Sequence, residues 1–122
     1  MRARVIVIIL ALTMTPSLGQ WKPSSPFTGR GDNTCESTSR YFAGLKDPTR
    51  VATAELQLSQ WVAGYLSAVN AQRAAAKQQF LDIWSSQTFG WSDFFADYCR
   101  RNPTKFVGDG MNELIAQLRV LR

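Results

Sequence analysis

Cysteine is the residue type with the clearest chemistry in this chain. The 122 residues include two cysteines, Cys35 and Cys99, and no histidine. Without histidine, Ser-His-Asp and Cys-His catalysis are excluded, and the commonest zinc ligand is missing. The cysteines lie 64 positions apart and form no Cys-x-x-Cys motif, so they favour one structural disulfide over redox or metal chemistry. Closing a loop of this length stabilises a fold by about 4 kcal/mol in the chain-entropy model.

Carboxylates offer the other route to catalysis. Asp93 and Asp97 are spaced i, i+4 and imitate the acid pair of a glycosidase. Glycosidase pairs usually come from different elements, whereas a solvated helix face produces this spacing directly. We therefore predict a non-catalytic protein that uses no cofactor and no metal.

Basic and aromatic side chains supply the candidate partner contacts. Arg73 and Lys77 are like charges at i, i+4 in an Ala/Gln-rich polar segment, and Trp84 follows that segment. Arg100 and Arg101 lie in the last turn of a predicted helix, where cations also complement the helix dipole. These five residues are predicted contacts for another protein. The alternative for Arg73 and Lys77 is an ordinary solvated helix face. The alternative for Arg100 and Arg101 is a favourable interaction with the helix dipole.

The first nineteen residues are typical of a secretory signal peptide. Arg2 and Arg4 precede an apolar run over residues 5–12, and small residues occupy positions 17 and 19. The run is shorter than the roughly 20 apolar residues that span a bilayer. We predict a signal peptide over residues 1–19, no membrane span after its removal, and a periplasmic or secreted protein in which a disulfide persists.

Composition divides the remaining chain in two. Residues 20–33 are rich in Pro, Gly, Ser and Thr and predict a flexible N-terminal tail, and residues 34–122 predict one helical domain. The formal charge of +5 falls by two when Arg2 and Arg4 are removed. That charge is too small and too scattered to indicate nucleic-acid binding.

Hydrophobic spacing predicts helices throughout the domain. The first begins after Thr34 as N-cap and ends at Asp47-Pro48, and the second begins after Thr53 as N-cap. Its stripe comprises Leu58, Trp61, Val62, Tyr65, Leu66 and Val69, and Gly64 lies among small residues that favour the close approach of a neighbour.

Three stretches complete the predicted bundle. Residues 71–87 either continue the second helix or form a separate one. A further helix starts at Thr88 or Ser92, and Asn102-Pro103 starts the last helix, in which Gly110 permits close packing. The fold class predicted is all-α, a small bundle of four to five short helices pinned by one disulfide.

Two stretches resemble a known group of proteins. Residues 61–70, WVAGYLSAVN, are similar to an aromatic-x-x-Gly-Tyr-Leu-x-Ala helix, and residues 98–103, YCRRNP, to a Tyr-Cys-x-x-Asn-Pro joint before a terminal helix. Together with a cysteine soon after a signal peptide, they resemble small exported helical proteins of proteobacteria. Among these are the immunity proteins that neutralise type VI secretion amidase effectors. The HdeA-type acid-stress chaperones are a second such group, and the segment Thr34-Cys35-Glu36 is similar to one of theirs.

The resemblance implies a protein that acts by binding other proteins. We expect a non-catalytic periplasmic protein-binding module, immunity-like, whose partner is another periplasmic protein. The alternative is an acid-stress periplasmic chaperone of the HdeA type. The sequence leaves open whether the chain forms a homodimer.

Overall fold

Helices take up most of the chain that the computed structural model describes, which is residues 29–86 and 90–121. Two isolated antiparallel bridges, Thr34 with Phe106 and Leu81 with Val120, are the extended pairings in those ranges. The predicted all-α bundle of four to five short helices with one disulfide is confirmed. The helices are α1 (Cys35–Gly44), α2 (Pro48–Ala75), α3 (Ile83–Ser86), α4 (Trp91–Arg101) and α5 (Gly110–Gln117).

The start of α1 is held from two directions. Thr34 is its N-cap, as predicted, and its Oγ1 accepts a hydrogen bond of 3.2 Å from the Ser37 backbone N–H. The N–H groups of Cys35 and Glu36 donate to the carbonyls of Lys105 and Pro103 at 2.8 and 2.9 Å. The loop after α4 therefore satisfies donors that a helix start cannot pair internally.

The second helix begins earlier than predicted. Asp47 accepts a hydrogen bond of 2.9 Å from the Thr49 N–H, and Pro48 occupies the first turn, where its missing N–H removes no bond. The predicted N-cap Thr53 is wrong, since it lies inside α2 and donates to the Thr49 carbonyl. The Asp47-Pro48 pair therefore ends the connection from α1 and begins α2.

The sequence left two alternatives for the segment between α2 and α4, and the structure contains both. Residues 71–75 continue α2, which ends in a Schellman arrangement: the Gln78 N–H donates to the Arg73 carbonyl and the Lys77 N–H to the Ala74 carbonyl. Lys77 takes the left-handed conformation at φ 55° that this motif requires. Ile83–Ser86 then forms the separate short helix α3.

The predicted start of the last helix at Asn102-Pro103 is wrong. Asn102 instead ends α4, and residues 103–106 run alongside the start of α1, where they supply its backbone acceptors. A 3₁₀ turn at Val107–Asp109 follows, and α5 begins at Gly110. Tertiary hydrogen bonds to α1 therefore keep this loop out of the helix that its Asn-Pro pair favours.

The core follows the predicted helical stripes. Leu58, Val62 and Leu66 of α2 are fully buried, and Trp61 and Tyr65 pack at the edge. The buried cluster consists of Cys35, Leu58, Val62, Leu66, Trp91, Phe95, Tyr98, Cys99, Val107, Met111 and Leu114. Every helix except α3 contributes to it.

The disulfide lies inside this core. Cys35 in the first turn of α1 and Cys99 near the end of α4 are bonded, with their Cα atoms 4.7 Å apart. The residues are 0% and 3% exposed, so the bond is shielded from solvent. It joins the start of the first helix to the helix that precedes the last.

The ordered domain begins before the predicted boundary at residue 34. Gly29–Asp32 forms a 3₁₀ turn with Gly31 buried, and the Asn33 carbonyl accepts 2.9 Å from the Val107 N–H. Residues 29–33 of the predicted tail thus belong to the fold. The predicted signal peptide and residues 20–28 lie outside the described residues. Of the helices described, none is long and apolar enough to cross a membrane.

Two glycines face opposite surroundings. A Cβ added at Gly110 would lie 2.8 Å from Phe95 Cε1 and 2.9 Å from Tyr98 Cδ1, so α5 crosses α4 at a distance that only glycine allows. This confirms the close packing predicted at that position. A Cβ at Gly64 would meet no atom within 4 Å, so the close approach expected there does not occur.

We expect Gly110→Ala and Gly64→Ala to change stability in opposite directions. Gly110→Ala forces the aromatic rings of α4 to move and lowers the free energy of unfolding by about 1–3 kcal/mol. Gly64→Ala removes the entropic penalty of a mid-helix glycine and raises that free energy by about 0.5–1 kcal/mol. Urea unfolding followed by circular dichroism measures both, and equal effects would contradict the crossing.

Candidate functional site

Four large apolar side chains are exposed on the segments that follow α2 and α5. Phe80, Trp84, Val120 and Leu121 are 48%, 73%, 43% and 43% exposed, and we call these four residues the apolar face. Single exposed apolar residues are ordinary, whereas several on chain segments that pair with each other form a candidate interaction surface. Of the predicted contacts, Trp84 is the most exposed member of this face.

Backbone pairing brings the two halves of the apolar face together. The Leu121 N–H donates to the Phe80 carbonyl at 2.8 Å, and the Asp82 N–H donates to the Arg119 carbonyl at 2.7 Å. Between these bonds Leu81 and Val120 form an antiparallel bridge. Residues far apart in sequence are therefore carried by one short ribbon. Because side chains alternate along a strand and paired residues share a side, Phe80 and Leu121 lie on one side of the ribbon, and Val120 lies on the side of Leu81.

Side chains of α2 fasten that ribbon to the bundle. The Asn70 Oδ1 accepts from the Leu81 N–H at 2.8 Å, and its Nδ2 donates to the Leu81 carbonyl at 3.0 Å. Arg73 Nε donates to the Gln79 carbonyl at 2.6 Å. These three hydrogen bonds hold the ribbon against α2. Since Leu81 is itself buried, the residues on either side of Leu81 point outward at a fixed position.

A groove runs beside the apolar face. Its volume is about 720 Å³, and its apolar lining comes from α3, α4, α5 and the residue that follows α5. Trp91 and Leu114 are buried beneath it, and Phe94 and Leu118 are half-buried. Its lining residues are Asp82, Trp84, Ser85, Gly90, Trp91, Phe94, Leu114, Gln117, Leu118 and Arg119.

Charges around the apolar face are mostly positive. Arg73 and Lys77 lie at the end of α2 just before Phe80, and Arg119 precedes Val120. The carboxylate nearby is Asp82, whose pKa is lowered by hydrogen bonds from Ser85 and by the positive charge of Arg119. Of the predicted contacts, Arg73 bonds to the Gln79 carbonyl in the segment that leads to the apolar face, and Lys77 lies in the turn between α2 and that segment.

The other two predicted contacts lie elsewhere and are paired within the chain. Arg100 Nη2 lies 2.5 Å from Asp97 Oδ1, and Arg101 Nε lies 2.9 Å from Asp97 Oδ2. Arg101 Nη2 also reaches Glu113 Oε1 of α5 at 2.6 Å, and this bond raises the pKa of Arg101 most. Arg101 therefore ties α4 to α5. This structural role differs from both predictions for Arg101, a partner contact and an interaction with the helix dipole.

The carboxylate pair considered for catalysis is separated. Asp97 is bonded to the two arginines, which hold its pKa below the ordinary value of 3.8, first through Arg100. Asp93 instead lines an open cleft of about 590 Å³ between α2 and α4, together with Glu55, Ser59 and Gln60. The i, i+4 spacing thus places the two acids in different surroundings.

Metal ligands do not gather in the described ranges. Within residues 29–86 and 90–121, no group of three or more Asp, Glu or Cys residues is arranged to hold a metal ion.

Sequence reasoning missed three members of the apolar face and the residue that secures it. Leu121 lies beyond the last helix, since α5 ends at Gln117 and the chain then extends. Phe80 and Val120 pair across segments about 40 positions apart, and Asn70 bonds to the backbone of Leu81 11 positions away, so no local pattern indicates these roles. No family model, curated protein or solved structure matches the chain.

We expect Arg101→Ala to lower the urea midpoint more than Arg100→Ala. Arg101 links two helices through Asp97 and Glu113, whereas Arg100 pairs only within α4. The side chains of these ion pairs are exposed. The difference in urea midpoint between the two variants should therefore shrink in about 1 M salt, where surface charges are screened. Equal midpoints for the two variants at low salt would contradict a tie between α4 and α5.

Proposed function

We propose that this chain is a non-catalytic, periplasmic or secreted protein-binding module of the immunity type, which acts by covering a site on a partner protein. The observation that carries the proposal is the apolar face, where Trp84 is 73% exposed in a chain whose other described tryptophans pack against the core. Exposed tryptophans of this kind dominate the energetics of protein interfaces.

Export is proposed on two grounds. The N-terminal nineteen residues have the charge, apolar run and small residues of a signal peptide. The disulfide supports the same location, since such bonds form and persist in oxidising compartments such as the periplasm.

A steric mechanism suits the way the face is built. The ribbon that carries Phe80 and Val120 is fixed by Asn70, and α4 beneath the groove is fixed by the disulfide. A surface that is already ordered loses little conformational entropy on binding, which favours affinity. Arg100 and Arg101 are left out of this proposal because their charges are matched by Asp97 and Glu113.

Site-specific photo-crosslinking tests the proposed surface. We expect a benzophenone amino acid at Val120 to give a discrete protein adduct in the envelope, and the same group at Leu56 to give none. Leu56 is a suitable control because it is 57% exposed and lines the cleft between α2 and α4, not the groove beside the apolar face. Trp84→Ala should reduce the adduct at least tenfold, as expected for loss of a tryptophan hot spot.

Competition makes the crosslink specific. An excess of the unmodified protein should suppress the adduct, and an excess of Trp84→Ala protein should not. Equal adducts from positions 120 and 56, or an adduct that survives Trp84→Ala, would overturn the proposed surface.

An acid-stress chaperone is the second candidate, and the ion pairs of α4 and α5 favour it. Asp97 has a depressed pKa in the folded chain, so its stabilising pairs are complete above about pH 3.8 and are lost as the pH falls through the lower folded value. Protonation of Asp97 then breaks its pairs with Arg100 and Arg101, and the positive charge left on α4 would loosen the bundle by repulsion. Buried apolar residues beneath α5 would become available to unfolded clients.

We expect such a chaperone to suppress the aggregation of an acid-denatured client at about pH 2–3. Light scattering of the client with and without the protein measures this. Glu113→Gln should shift the onset of protection to higher pH, because one inter-helix pair is already absent. No protection at any pH would exclude the chaperone.

A further inference from the structure

We infer that the partner presents an acidic amphipathic helix, whose apolar residues cover the apolar face and enter the groove between Trp84 and Leu118. The inference rests on the proposed protein-binding function and names the chemistry of the partner. It follows from the charges that surround the face and from the shape and lining of the groove.

The charges near the apolar face favour an acidic ligand. Arg73, Lys77 and Arg119 lie within a few residues of its members, and none of them takes part in the ion pairs of the described residues. Asp82 is the carboxylate among them, and its Oδ1 already accepts from the Ser85 N–H at 3.0 Å. Asp82 and Arg119 line the same groove and attract each other, and Arg73 and Lys77 add two further positive charges. The net charge of these segments is therefore positive, and a complementary partner would carry Asp or Glu.

The groove favours a helix with apolar anchors. It is walled by α3, α4 and the end of α5, and its floor is formed by Trp91, Phe94 and Leu114. Grooves between helices accept the side-chain ridges of another helix, and amphipathic helices bind such grooves through residues at i, i+3, i+4 and i+7. A volume of about 720 Å³ accommodates several such side chains.

Two synthetic peptides test the inference directly. Both are 16-residue fluorescein-labelled helices with Leu and Trp at i, i+3, i+4 and i+7, and they differ only in carrying Glu or Lys at the remaining charged positions. Fluorescence anisotropy with the disulfide-bonded protein measures each affinity. We expect the Glu peptide to bind at least tenfold more tightly than the Lys peptide, and the difference to shrink at high salt.

A charge reversal with a matched control assigns the preference to this face. Lys77→Glu/Arg119→Glu should invert it, so that the Lys peptide binds more tightly. Arg50→Glu/Lys105→Glu changes the net charge equally and should leave the preference unchanged. Arg50 lies 23 residues from Arg73 on α2, or about 35 Å along the helix. Trp84→Ala should weaken the Glu peptide at least tenfold.

Other outcomes overturn the inference in distinguishable ways. Equal affinities for the two peptides would remove the acidic partner and leave an apolar protein-binding face. No binding of either peptide, with the Val120 crosslink intact, would mean that the partner is not an acidic amphipathic helix although the proposed function holds. Binding to phosphatidylglycerol vesicles in place of the peptides would identify a membrane surface. Self-association lost in Trp84→Ala, seen by analytical ultracentrifugation, would identify a second copy of the chain.

Discussion

The bond between Cys35 and Cys99 is the constraint on which the rest of the structure depends. It fixes the first turn of α1 against α4, and two backbone hydrogen bonds from Cys35 and Glu36 to the loop after α4 reinforce the same junction. Because that loop supplies acceptors to α1, it forms a non-helical turn, in which the Lys105 N–H donates to the Asn102 carbonyl, before the 3₁₀ turn at Val107–Asp109. The position of α5, and hence of the chain end that follows it, is thereby decided at the opposite end of α4.

Helix α4 connects this junction to the candidate surface. Its last turns carry Cys99 and the Arg101 tie to α5, and its first turn places Trp91 beneath the groove. The crossing at Gly110 brings α5 close enough for Leu114 to join the same floor. One 11-residue helix therefore transmits the rigidity of the disulfide to a face that itself contains no cysteine.

The apolar face shows why a binding surface of this kind is hard to predict from sequence. Trp84, Arg73 and Lys77 could be named as contacts because their residue types stand out in a polar segment. Phe80 and Leu121 could not, since the backbone hydrogen bond that pairs them joins segments about 40 positions apart. The hydrogen bonds of Asn70 to Leu81 hold that pairing in place, because they satisfy both polar groups of a buried residue.

The sequence by itself determined the helical class, the stripe of α2, the Thr34 cap and the disulfide, because each follows from local spacing or from the residue types available. The tertiary structure alone decided where the last helix begins, which arginines are neutralised and which apolar residues remain exposed. These depend on contacts between segments distant along the chain, such as Arg101 with Glu113 and Leu81 with Val120. Local patterns carry no information about such pairings, since the energy that selects them exists only after the bundle has closed.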